Sequence, residues 1–406
     1  MMEKIIFHID VNSAFLSWTA IKRLREGDTV DLRTIPAAIG GDMSKRHGVV
    51  LAKSIPAGRF GVRTGEPITD ALRKCADLTL APPEHAYYSQ CSRQLLHLLG
   101  RFSPSISQYS IDECFMEYAP VPGDHGDCVQ AAHIIRRTIR EELGFTVNIG
   151  ISTNRLLAKM ASDFEKPDRV HTLFPSEIPA KMWPLPVRDL FMVGRSSAAR
   201  LELLGIRTIG DLAHMDPAIL EAHLKSHGRT IWEYANGIET TRIDARTRAD
   251  NKGIGNSTTL SSDVTTEETA RRILLELSES VAGRLRGSNM LAGMVSVEIK
   301  YSTFESVSHQ MQLTTPSQST QAIYEAAARL FHELWNGMPV RLLGIRTSKL
   351  SDSQVRQLNL FDYVRNDKQE KLDKALDNIR QKYGSQAVMR GSFLEENGPR
   401  KSTPYD

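Results

Sequence analysis

KIIFHIDVNSAFLSWTAIKRLR, Lys4 to Arg25, is the stretch on which the fold turns. After Lys4 the next seven residues are largely apolar and β-branched, which predicts a strand, and the run is broken only by His8 and Asp10. Asn12 and Ser13 are residue types that favour helix N-caps. Ala14, Trp18, Ile21 and Leu24 then recur at helical spacing until Gly27 closes the run. Asp10 therefore falls where a strand ends and a helix begins. An acid inside an apolar strand needs a reason, because a buried, unpaired carboxylate is expensive.

A second acidic interruption occurs in SIDECF, where Asp112 and Glu113 break another strand-like patch. Three acids brought together repel one another unless a cation sits among them. Mg²⁺ prefers oxygen ligands, and two divalent ions about 3.5–4 Å apart suit an in-line phosphoryl displacement. Taken singly, each acid reads equally well as a turn cap or a solvent-facing strand end, so the residues alone leave both readings open.

Working outward, the spacing predicts short strands at Arg33–Gly41 and Gly48–Lys53, a helix over Tyr88–Phe102, strand pairing within Ile106–Met116, and a helix over Cys128–Leu143. A strand at Phe145–Ile151 and a helix at Asn154–Phe164 follow. Pro184 to about Gly237 reads as all-helical, with Gly turns at Gly194 and Gly205. Thr258 to Ser348 reads as a second α/β module. The tail from Gln354 is polar, with one helix-like stretch carrying Leu372, Leu376, Ile379 and Tyr383 on one face.

The chain has 406 residues, 41% hydrophobic and 24% charged, enough for about two to four domains. A net charge of +3 permits a nucleic-acid partner without arguing for one. The excess is local: residues 40 to 74 hold seven Lys or Arg against three Asp or Glu. The four cysteines have neither C-x-x-C nor zinc-ligand spacing and read as reduced thiols. The N-terminus is not a signal peptide, and no stretch approaches the ~20 apolar residues of a membrane span. A cytoplasmic protein with no membrane partner is expected.

HIDVNSAF, then SIDECF about a hundred residues on, then NIGISTNRLLAKMASDFEKP and LPVRDLFMVGRSSAARLELLGIRTIGDLA resemble, in order and spacing, the DinB/UmuC branch of the Y-family DNA polymerases. The resemblance covers roughly residues 4 to 350. It implies a multi-domain α+β fold, the right hand of a polymerase, with an α/β palm (1–11 and 76–168) and small fingers (12–75). A helix-hairpin-helix thumb (169–238), a linker (239–249), an α/β little finger (250–350) and a tail (351–406) would follow.

The resemblance further implies that Asp10, Asp112 and Glu113, with the carbonyl of Val11, hold two Mg²⁺ ions, or Mn²⁺. Phe15 would be the steric gate against a ribose 2′-OH, and Lys166 would contact the incoming triphosphate. Read without the motif, Phe15 is a core-facing helix residue and Lys166 a solvated helix-end lysine. The family's fingers motif carries a Tyr and, three residues on, an Arg; here Ile55 and Gly58 stand at those places. Arg59 and Lys53 are neighbouring cations able to reach the phosphates. Gly194 and Gly205 would present backbone N–H groups to DNA phosphates.

Gln357-Leu358-Asn359-Leu360-Phe361 resembles the peptide by which bacterial polymerases bind the β sliding clamp, with Leu360 and Phe361 as apolar anchors and Gln357 adding a hydrogen bond. The activity so implied is template-directed, low-fidelity translesion synthesis by a monomer, from dNTPs onto a primer 3′-OH, without proofreading. A non-catalytic DNA-binding accessory scaffold and a nucleotidyl cyclase are the alternatives.

Overall fold

The computed structural model describes residues 5–41, 48–118, 128–239, 252–352, 363–384 and 387–391, with the backbone alone for 363–370. They fold as two compact units, residues 5–41 with 49–118 and 128–239, and residue 48 with 252–352, 363–384 and 387–391. The architecture is the expected multi-domain α+β. Among the described residues no helix is long and apolar enough to cross a membrane.

In the first unit, β1 (Ile5–Val11) is the middle strand of a five-stranded sheet, and α1 (Ala14–Arg25) follows it. The turn between them departs from the expected N-cap. Ser13 sits in the left-handed region (φ 46°) and its side chain makes no capping hydrogen bond. Asn12 turns inward instead, donating to Asn148 Oδ1 (3.1 Å) and accepting from the Asp168 amide (2.9 Å). A tertiary tie between β1 and the chain after residue 166 has displaced the local cap.

Strands β2 (Ala37–Gly40) and β3 (Val50–Lys53) then lead into α2 (Ile55–Arg59) and α3 (Ile68–Lys74). With β4 (Thr79–Ala81) they form a small sheet of order β3-β2-β4. Helix α4 (His85–Leu99) starts a turn earlier than its hydrophobic spacing predicts. Its first residues, His85 and Ala86, face solvent and carry no apolar signal, whereas Tyr88 is the first fully buried position.

Strands β5 (Ile106–Gln108) and β6 (Glu113–Tyr118), helix α5 (Cys128–Leu143), β7 (Val147–Ser152), α6 (Arg155–Ser162) and β8 (Val170–Thr172) complete the large sheet, in the order β5-β6-β1-β7-β8. Strand alternation splits β1 by face. Phe7, Ile9 and Val11 enter the core formed with α4 and α5, each fully buried apolar side chain contributing about 1.5–3 kcal/mol. Ile6 enters the opposite core under α6, so His8 and Asp10 share that second face.

Helices α7 (Ile178–Lys181), α8 (Arg195–Leu203), α9 (Ile209–His214), α10 (Pro217–Leu224) and α11 (Ser226–Ala235) follow. They bury their apolar faces in one core with α6 and Ile6.

The second unit runs β9 (Gly253–Val264), α12 (Glu267–Gly287), β10 (Met290–Tyr301), β11 (Ser306–Ser317), α13 (Thr320–Leu334) and β12 (Val340–Asp352), its strands forming an antiparallel sheet of order β11-β10-β12-β9. Its two long helices share the sheet's core. The tail forms α14 (Tyr363–Tyr383), but not by burying the apolar stripe read from its sequence: Leu372 is 52% exposed and Tyr383 67%. It docks through acids. Arg286 of α12 grips Asp377 at 2.5 and 2.9 Å, and Asp373, 2% exposed, accepts from the Thr320 amide (3.0 Å) at the start of α13. The unpaired amides of a helix N-terminus and a buried guanidinium offer these carboxylates more than the sheet offers four scattered apolar side chains.

Gly150 in β7 sets how closely α6 approaches the sheet. A Cβ there would lie 1.9 Å from the Ala158 carbonyl oxygen and 2.5 Å from the Ser162 nitrogen. Gly150→Ala is therefore expected to cost at least the ~1–3 kcal/mol of overpacking. Gly287→Ala, at a helical position with nothing within 4 Å, is expected to be neutral or stabilising. Chemical denaturation of the two variants checks the contrast.

Candidate active site

The antiparallel register of β1 and β6 sets Asp10 directly opposite Glu113. Facing residues on one sheet surface have Cβ atoms only about 4.5–5.5 Å apart. Asp112 sits one residue before β6, and its carbonyl accepts the Val11 amide at 3.0 Å, which fixes the end of β1 to the turn. Three acids, Asp10 about a hundred residues before the other two, thus meet where the central strands β1 and β6 end and begin. The Val11 side chain is buried in the core beneath.

Each carboxylate has its own set of partners. Burial pushes the Asp10 carboxyl up, opposed by Lys166 and reinforced by the negative charges of Glu113 and Asp112, to about 6. Lys166 Nζ lies 2.6 Å from Asp10 Oδ2 and 2.8 Å from Asp163. Burial works against the Lys166 ammonium, yet Asp10 and Asp163 outweigh it and raise its pKa. Burial also pushes Glu113 upward, but the hydrogen bond from His8 and the Lys159 ammonium prevail and hold it at about 2. Lys159 pairs directly with Glu113 Oε2 and lies over the rings of Tyr109 and Phe191. Ser110 Oγ donates to Asp112 Oδ1 at 2.6 Å.

His8 is buried behind Glu113. Its Nε2 is 3.0 Å from Glu113 Oε2 and its Nδ1 is 2.7 Å from Ser162 Oγ. A neutral imidazole has one N–H, and with Nε2–H given to the ionised Glu113 its Nδ1 accepts from the Ser162 hydroxyl, which also lies 2.8 Å from the Lys159 carbonyl. Burial holds the imidazole below its ordinary pKa. His8, Ser110, Lys159 and Ser162 were not singled out from the sequence. The available signal was periodicity: His8 precedes Asp10 by two residues in a strand and so shares its face.

As placed, the described residues form no group of three His, Cys, Asp or Glu poised as metal ligands. The lysines and His8 hold the carboxylate oxygens that such a group would use. The donor set nevertheless fits a hard divalent cation. It offers carboxylate oxygens alone, and their mutual repulsion is one of the forces holding Asp10 well above its ordinary value.

Phe15 projects from α1, half-buried, with its ring stacked on Tyr88 (4.5 Å between centroids, 10° between planes) and edge-on to His85. Tyr88 is fixed in turn by a 2.7 Å hydrogen bond between its hydroxyl and that of Thr19. Ile55 opens α2 and is 53% exposed. Arg59 ends α2, also exposed. Gly194 caps the start of α8, and Gly205 follows that helix at φ 79°. A Cβ on either would meet nothing within 4 Å, so both stretches of backbone are open to approach. Gln357, Leu358, Leu360 and Phe361 lie outside the described residues.

The folded pKa of Asp10 exceeds its ordinary 3.8, so in metal-free protein its ionisation opposes folding. Its favourable contribution is complete below about pH 4 and is lost as pH rises through 6. Asp10→Asn in chelator is expected to add stability on the order of 1–3 kcal/mol at pH 8 and little at pH 4. Glu113 works in the opposite sense, its contribution present above about pH 4.5 and lost as pH falls towards 2. Denaturation of wild type and variant across pH checks the sign.

Comparison with known proteins finds the impB/mucB/samB family over residues 9–163, that family's C-terminal domain over 251–360, and the family's HHH motif over 175–206. The chain is 49% identical over 397 residues to the DNA polymerase IV of Clostridium acetobutylicum, covering 97% of this chain and 99% of that one. It is 32% identical over 406 residues to the DNA polymerase IV 1 of Bacillus subtilis, covering 99% and 96%. A solved Y-family DNA polymerase chimera superposes with a TM-score of 0.75 at 20% identity, over 86% of this chain and 99% of that one.

Proposed function

The chain belongs to the impB/mucB/samB family of Y-family DNA polymerases, and from that membership we propose how its residues divide the work of nucleotide addition. It is a metal-dependent, template-directed DNA polymerase of the translesion class, acting on primer–template DNA with deoxynucleoside triphosphates. The observation that carries the site reading is the register: Asp10 faces Glu113 across β1 and β6, with Asp112 adjacent.

Asp10, Asp112 and Glu113, with the Val11 carbonyl, hold two Mg²⁺ ions in this reading, Mn²⁺ being the substitute. Bound there, the ions supply a lowered pKa at the attacking 3′-hydroxyl and neutralisation of the leaving pyrophosphate. The protein does the positioning. Lys166, already a carboxylate partner, faces the triphosphate. Phe15, backed by the Tyr88 ring, occupies the space a ribose 2′-hydroxyl needs. His8 and Ser162 fix the rotamer of Glu113. Open backbone at Gly194 and Gly205 meets DNA phosphates irrespective of sequence.

The domain boundaries follow the family: palm 1–11 and 76–168, fingers 12–75, thumb 169–238, little finger 250–350. Gln357, Leu358, Leu360 and Phe361 tether a monomeric enzyme to the β clamp in the cytoplasm, raising its local concentration at the primer end.

Primer extension tests the site. Asp112→Ala is expected to reduce synthesis by on the order of 10²–10³-fold or more while DNA binding persists, and Phe15→Ala to admit ribonucleotides. Retained extension by Asp112→Ala would refute the acid assignment, and unchanged sugar discrimination the gate. Turnover of ATP or GTP without primer elongation would favour the cyclase, and DNA binding with no synthesis by wild type the accessory scaffold. Separately, replacing Leu360 and Phe361 with Ala should weaken clamp binding and spare distributive synthesis; unchanged affinity in a clamp pull-down would remove the tether.

A further inference from the structure

Lys53 ends β3, and its ammonium rests against Gly58 of α2. A Cβ built on Gly58 would come 2.6 Å from Lys53 Nζ and 3.7 Å from Lys53 Cε, and outside the chain neighbours and the backbone of α2 it would meet no other atom of the described residues within 4 Å. Among the described residues beyond α2 itself, the hollow beside Gly58 is therefore filled by the tip of one lysine. Lys53 is partly buried, and no hydrogen bond or ion pair ties its ammonium to another described residue. Every lysine placed at the acids has a carboxylate: Lys159 has Glu113, and Lys166 has Asp10 and Asp163. Lys53 does not. A cation partly withdrawn from water without a counter-ion is suited to an anion that arrives from outside.

The position suits a nucleotide. Leu51 shares a face of β3 with Lys53, one two-residue step of about 6.6 Å away, and packs in the cluster that includes Phe15. The lysine is thus one strand step from the packing partners of the residue proposed to read the sugar. Gly58 stands where the family carries an arginine, and an arginine there would begin in the volume that Lys53 occupies. We propose that Lys53 binds the polyphosphate of the incoming nucleotide, and that Gly58 is the condition for it: the cation comes from β3 because α2 leaves it room.

This inference rests on the polymerase reading above, and the test separates the two. Single-nucleotide insertion is measured against dNTP concentration for wild type, Lys53→Met, Lys53→Arg, and Lys53→Met with Gly58→Arg. Methionine keeps an unbranched stem and removes the charge. The expected result is a KM for dNTP raised about tenfold or more in Lys53→Met, the loss of one charge-assisted contact. kcat should stay within about threefold, with DNA affinity and Tm unchanged. Lys53→Arg should retain most of the wild-type KM, and Gly58→Arg, placing a guanidinium in the vacated space, should recover part of it. An unchanged KM in Lys53→Met, or a loss of DNA affinity matching the rise in KM, would overturn the assignment while wild-type synthesis still stood. Undiminished extension by Asp112→Ala would sink the catalytic reading instead.

Discussion

Two carboxylates face each other across one rung of a β-ladder, and most of what surrounds them answers that repulsion. Like charges directly opposite in a sheet are destabilising, and here both are partly buried as well. The protein resolves the problem asymmetrically. Glu113 receives His8 and Lys159 and stays ionised well into acid, while Asp10, with Lys166 alone and two negative neighbours, is held near neutrality. Such a pair is a poor device for stability and a good one for capturing a hard cation. Structure that serves folding rather than chemistry lies on the other face of the same strand, where Phe7, Ile9 and Val11 fill a core.

The second unit holds its last helix by different means. Arg286 and the N-terminus of α13 receive Asp373 and Asp377 of α14, and Glu279 of α12 receives Arg380 and Arg390. The attachment is mostly polar. A buried guanidinium–carboxylate contact specifies one geometry without adding much net stability, so this helix is placed by direction and not by greasy area.

Much of the fold and of the proposed site was legible in the sequence, for reasons that differ by residue. Asp10 was visible because an acid interrupts a β-branched run, and α1 because its apolar residues keep helical time. The meeting of Asp10 with Glu113 was implied by the resemblance of the motifs to a known family, not by local pattern. What stayed hidden is tertiary. Ser13 reads as a cap yet does not cap, because Asn12 is claimed by Asn148 and Asp168. The stripe on α14 reads as buried yet is exposed, because charged groups across 90 residues of chain determine how it docks. His8 has no motif of its own; only strand pairing shows that it lies behind Glu113. Gly58 reads as a loss, and only the folded chain shows another cation in its volume.

Helix α6 belongs to two neighbourhoods at once. One side lies on β7, so close that only glycine fits beneath it, and presents Lys159 and Ser162 to the acids. Leu156, Leu157 and Ala161 are set in the same tightly filled interior as helices α8 to α11. Densely packed matter passes displacement along instead of absorbing it. The rod that steadies Glu113 is therefore also a strut of the helical segment proposed to meet the duplex, and one packed interior joins the two.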